Sequence, residues 1–207
     1  MFWSETLSIV QGIVVSCAAI TGSIVAVRGL STWKKQTKGH ADYELARRIL
    51  ISLFRLRDAI DAVRHPMMWA HEIPLPPEDQ AANMEQNKID HYGRTQAYQA
   101  RWDRVQKERT NLYADLLESE ALWGLELKTL FGDISSLQHE LWLCVHRYLE
   151  ISDPDTDAET RKALRDIKNS ERNILYDNLS ESGDDFKNEM HAAIERIEAY
   201  LKPKLIR

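Results

Sequence analysis

Residues 64–72 read RHPMMWAHE, the densest cluster of chemically able side chains in the chain. Six residues separate Arg64 from His71, His65 and Trp69 among them, and Glu72 follows. A histidine changes charge near neutral pH and can pass a proton, whereas an arginine stays charged and can face a developing anion. Pro66 breaks any single helical presentation of the two, because proline lacks the amide donor and disfavours helix at the residue before it. The favoured reading is therefore a helix end followed by a loop, with Met67, Met68 and Trp69 folded back onto a core. A docking surface is the alternative use of those large apolar side chains.

Other chemistries find less support. HELWL at 139–143 fails the zinc-protease pattern, since Leu143 stands where a second histidine is needed. His139 and His146 share a helix face but Cys144 lies off it, so the three cannot converge on one ion. There is no glycine-rich phosphate loop and no serine in a nucleophile elbow. Cys17 and Cys144 make no disulfide framework. No metal and no cofactor is expected.

Arginine followed by four to six residues and histidine resembles the signature of HEPN ribonucleases, which are compact helical bundles. That resemblance implies metal-independent RNA cleavage, with His71 moving the proton at a ribose 2′-hydroxyl and Arg64 stabilising charge on the phosphate. Next to a single N-terminal anchor, the same residues also resemble the small membrane accessory proteins of type VI-B CRISPR systems. Those carry a degenerate HEPN-like motif, and the likeness implies membrane pore formation and antiphage (antiviral) defence. In that case Arg64 and His71 would be structural.

The elements that would position these residues begin with an apolar run. From Thr6 to Val27 no residue is formally charged, and 22 residues rising about 1.5 Å each would cover roughly 33 Å. A bilayer core is about 30 Å thick, so the expectation is a transmembrane anchor at 1–28. Arg28, Lys34, Lys35 and Lys38 come after it, against Glu5 alone before it. That asymmetry implies a single-pass inner-membrane protein, N-terminus outside, with a basic linker at 29–39 meeting lipid headgroups. Gly12 and Ser16, and separately Ala18, Gly22 and Ala26, recur every four residues as a helix-packing face.

Residues 40–207 are read as an all-α cytoplasmic domain, an antiparallel bundle of long heptad-patterned helices. From residue 39 onward there are 23 basic and 31 acidic residues, a net charge of −8. Such a body binds nucleic acid poorly, except as a ribonuclease substrate. Leu45, Ile49, Leu53, Leu56, Ile60 and Val63 mark one amphipathic helix, closed by Pro66. Tyr98, Trp102, Val105, Arg109, Leu112, Leu116, Ser119 and Trp123 form a seam that slips by one residue and resumes from Leu127 to Tyr148. The pattern leaves open whether 88–151 is one long helix or a hairpin turning near Gly124 or Gly132. Leu164, Ile167, Ile174 and Leu175 mark a further element. Phe186, Met190, Ile194, Ile197 and Leu201 mark a last helix stopping at Pro203.

Taken together, these features predict a non-enzymatic membrane protein that homo-oligomerises through its anchor and helical body. The alternatives are a membrane-tethered HEPN-like ribonuclease and a passive adaptor for a cytoplasmic protein partner.

Overall fold

The computed structural model describes residues 2–180 and 183–206, with side chains described from residue 20 onward. Among these it contains six α-helices and no strand: α1 (Phe2–Arg64), α2 (Glu78–Ala81), α3 (Gln86–Trp123), α4 (Glu126–Ser152), α5 (Ala158–Ser170) and α6 (Asp185–Leu205). A single 3₁₀ turn covers Ala70–Glu72.

Four helices close a square. The C-terminal part of α1 runs antiparallel to α3, since Trp123 Nε1 donates to Asp42 (2.8 Å) at one end and Arg101 reaches the carbonyl of His65 at the other. α3 and α4 form an antiparallel hairpin, with Lys88 paired to Asp155 at the end opposite the turn. α6 returns along α4, joined by Arg196–Asp133 and by Arg172, which bridges Glu140 and Glu189. It also closes against α1 where Arg64 meets Asp184. The core is the sum of the inward stripes: Leu45, Ile49, Leu53, Leu56, Ile60 and Val63 from α1, Val105 and Leu112 from α3, Leu127, Ile134 and Leu141 from α4, and Met190, Ile197 and Leu201 from α6. Helical spacing of three and four residues places each set on one side of its helix.

The 88–151 region is a hairpin. Gly124 sits at φ 85°, ψ −169°, a conformation open to glycine and costly for a residue with Cβ, and α3 stops there. The one-residue slip in the heptad pattern falls at this turn. Of the seam's polar interruptions, Ser119 is buried and bonds its own helix at the Leu116 carbonyl, while Arg109 is exposed.

The membrane-spanning expectation requires correction. Among the described residues no helix is long and apolar enough to cross a membrane. Arg28, Lys34, Lys35 and Lys38 lie on the unbroken helix α1. The single-pass inner-membrane location goes with the span. Gly12, Ser16 and Ala18 lie outside the described side chains. Residues 29–39 are helical rather than a separate linker, and from Ile20 to Lys38 every side chain is exposed, Gly22 and Ala26 included.

Three smaller differences have local causes. α6 continues past Pro203 to Leu205, because a proline in the last turn removes only one hydrogen bond. α5 buries none of its residues, and Ile174 and Leu175 reach the core from the segment after it. Its cap is Asp157, whose carboxylate accepts from the amides of Glu159 and Thr160. The proline-rich loop lies against α3 at Gly93, where a Cβ would stand 2.5 Å from Ile73 Cγ2 and 3.2 Å from the Pro74 carbonyl.

Candidate functional site

Arg64 is the last residue of α1 and is only 1% exposed. Its Nε donates to the Ile174 carbonyl (2.8 Å), and its Nη2 to the Tyr176 carbonyl (3.3 Å) and to Asp184 Oδ2 (2.5 Å). The guanidinium lies over the Phe186 ring, 4.4 Å from its centroid. The Arg64 carbonyl accepts from the amide of Asp177 (3.0 Å). Asp184 also caps α6, since its Oδ1 accepts from the Lys187 amide (2.9 Å). Burial alone would favour the neutral acid, but the Arg64 guanidinium and the Lys187 amide hold Asp184 below the usual carboxylate range. One arginine thus ties the end of α1 to the 174–177 segment and to the start of α6.

A second arginine holds the loop. Arg101, in the middle of α3, grips Glu72 with two hydrogen bonds (Nε to Oε1 3.0 Å, Nη2 to Oε2 2.9 Å). The same guanidinium donates to the carbonyls of His65 (3.0 Å) and Met67 (2.8 Å). Glu72 Oε2 accepts from the amide of Trp69 (2.9 Å), closing the turn. The Arg101 bond outweighs the cost of burial, and with the Trp69 amide it lowers Glu72 to about 2. Arg101 occupies the row Ala97, Arg101, Val105 that faces α1, and that spacing of four was the available signal for it. Asp184 had a weaker one, as the acid just before the Phe186 stripe.

Arg64 and His71 are not brought together. His71 is exposed and borders a hollow of about 460 Å³ with Glu72, Arg101 and Arg104, whereas Arg64 points into the bundle and lines no part of it. The loop's large side chains also depart from expectation. Met68 packs against the core, but Met67 is exposed and Trp69 is 61% exposed. The reason lies in Arg101: it takes the His65 and Met67 carbonyls, which turns the backbone inward and leaves alternate side chains outward.

Elsewhere, His139 stacks on Trp142 (6.1 Å between centroids) and His146 meets the same indole edge-on (5.2 Å). Cys144 turns away toward the Ile174 backbone, and burial pushes its thiol up. Among the described residues no group of three metal-ligating side chains converges. Trp102 and Trp123 pack against the core, while Trp142 remains partly exposed beside a cleft between α3 and α4.

No family model, no curated protein and no solved structure matches this chain.

Proposed function

We propose that the chain is a non-enzymatic, self-associating helical protein in which α1 extends beyond the bundle as an arm and copies join arm to arm. The observation carrying this is the state of Ile20, Ile24, Val25, Val27, Leu30 and Trp33. All are between half and about two-thirds exposed on a regular helix outside the bundle. A lone apolar helix is poorly stable in water, because most helical stability comes from packing of an apolar face.

A second copy fits that face for a geometric reason. At 3.6 residues per turn, Ile20, Ile24 and Val27 form one ridge. Gly22, Ala26 and Gly29 fall on the opposite side, and a Cβ at Gly22 or Gly29 would meet nothing within 4 Å. The ridge of one arm can enter the shallow side of another, a head-to-tail contact that closes a ring or extends a filament. Covering three branched side chains already about 60% exposed contributes roughly 3–5 kcal/mol per contact, near the lower end of the cost of association, about 4 kcal/mol or more. Leu122 and Leu125, exposed at the bundle end from which the arm leaves, supply the remaining apolar surface.

Light scattering coupled to gel filtration of the full chain tests this. Wild type is expected to run as a concentration-dependent oligomer and Ile24→Asp as a monomer. A wild-type monomer at every concentration reached would sink the reading.

A further inference from the structure

We propose that the cleft between α3 and α4 is a binding site for a small organic cation: an ammonium group on an apolar body about the size of one ring. The cleft has a volume of about 530 Å³, within the range of small-molecule pockets. Trp102 and Trp142 form its walls, Tyr98 its floor, and His91, Glu150 and Asp153 one end. This differs from the arm, and nothing in the self-association reading bears on it.

Three observations select the ligand's charge and shape. First, among the described residues no lysine or arginine lines the cleft, while two carboxylates do. The basic side chains around it are engaged elsewhere: Lys88 by Asp155 (2.6 Å), Arg94 by the Asp90 carbonyl (3.3 Å) and Arg161 by the carbonyls of Asp153 and Thr156 (2.8 Å each). Second, the Glu150 carboxylate makes no ion pair or hydrogen bond among the described residues. Its main chain is occupied instead, accepting from Thr156 Oγ1 at 2.7 Å. Asp153, in contrast, is partly spent on the Asp155 amide (2.9 Å) and stands 3.8 Å from His91 Nε2. Third, the Trp142 indole is held in a fixed orientation by His139 and His146 yet leaves surface open to the cleft. An indole face attracts a cation through its quadrupole and also covers an apolar body.

The floor of the cleft is a buried phenol. Tyr98 is 2% exposed, and among the described residues no partner stands within hydrogen-bond geometry of its hydroxyl. Burial, with the neighbouring Tyr176 and Tyr148 phenols, raises its ionisation well above the ordinary range, so it stays a neutral phenol. The His91 ring is held by Thr95 Oγ1 (3.3 Å) and Ser152 Oγ (3.5 Å), which fixes the end of the cleft beside the acids.

Isothermal titration of the full chain with phenethylammonium chloride tests the proposal, with 2-phenylethanol as neutral and 3-phenylpropionate as anionic counterpart. The cation is expected to bind at least about tenfold more tightly than the alcohol, and the anion not measurably. Glu150→Gln should weaken the cation about threefold to fivefold, and Trp142→Ala about tenfold. Both positions are at least partly exposed, and far-UV circular dichroism confirms that the variants fold. Equal binding of cation and alcohol, no heat with the cation, or unchanged affinity in both variants each overturns the assignment. Phenethylammonium held as tightly by the Trp142→Ala protein would also place it elsewhere.

Discussion

Replacing Asp184 with asparagine removes one charge and almost nothing else. The amide oxygen can still cap α6 at the Lys187 amide, since asparagine is as good an N-cap as aspartate. What is lost is the anion facing Arg64, whose side chain is 1% exposed and so cannot turn to water instead. Breaking a buried pair by removing one partner costs about 3–5 kcal/mol. Arg64 keeps the carbonyls of Ile174 and Tyr176, which puts the expectation at the lower end, about 3 kcal/mol. For a chain of this size that is a fall in melting temperature of about 6–12 °C. Asp184→Ala loses the cap as well and should cost about 1 kcal/mol more. Urea unfolding at pH 7, followed by circular dichroism at 222 nm, measures both. The pH dependence supplies the control. Asp184 is depressed in the folded state, so its contribution is complete above its unfolded value and is lost as pH falls through the folded one. The gap between wild type and Asp184→Asn must therefore shrink in acid. A variant within about 0.5 kcal/mol of wild type at pH 7, or a gap that does not change in acid, would refute the role given to Arg64.

The loop yields two further outcomes. Glu72 sits at about 2 in the fold against 4.5 for a free glutamate, so stability from its contact with Arg101 is lost as pH drops across that interval. Glu72→Gln should lose that acid-dependent component, seen as a flatter plot of unfolding free energy against pH; an unchanged slope would contradict it. Gly93→Ala places a methyl 2.5 Å from Ile73 Cγ2 and near the Pro74 carbonyl, which should cost about 1–3 kcal/mol and speed proteolysis of the 73–77 segment, whereas wild-type stability would show that the loop gives way freely.

The helices and the core were legible because burial acts on residues a turn apart. Leu45 through Val63, Leu127 through Leu141 and Phe186 through Leu201 can be assigned from spacing alone, and each stripe is buried. The hairpin was half legible: the slip in the seam marked the place, but only the backbone angles of Gly124 distinguish a stop from a continuous helix. The membrane anchor expected from the hydropathy of Thr6–Val27 does not stand, since among the described residues no helix is long and apolar enough to cross a bilayer. Arg28, Lys34, Lys35 and Lys38 continue the same unbroken helix. Arg64's role was not legible at all. Its partners lie more than a hundred residues further along the chain, and their carbonyls leave no mark in a sequence.

Local richness in chemical side chains is a poor guide to chemistry for a related reason. RHPMMWAHE is fixed from two sides by arginines of opposite provenance: its own Arg64, turned inward to Asp184, and the distant Arg101, turned outward to Glu72. A buried guanidinium needs its hydrogen bonds met where it lies, and backbone carbonyls at a helix end and in a tight loop are the acceptors nearest to hand. The same need that makes arginine useful against a phosphate makes it the residue best suited to close a helix terminus onto the next segment. The cluster's charged members are thus consumed in holding the loop, and the side chains it shows to solvent are His65, Pro66, Met67, Trp69, Ala70 and His71. The α3/α4 cleft has the reverse character. Its residues come from two helices, spread over some sixty positions, and they leave the Glu150 carboxylate unpaired and part of the Trp142 indole open. Capacity for binding resides where hydrogen bonds and charge remain unmet after folding, which is a property of the packed structure and not of any short stretch of sequence.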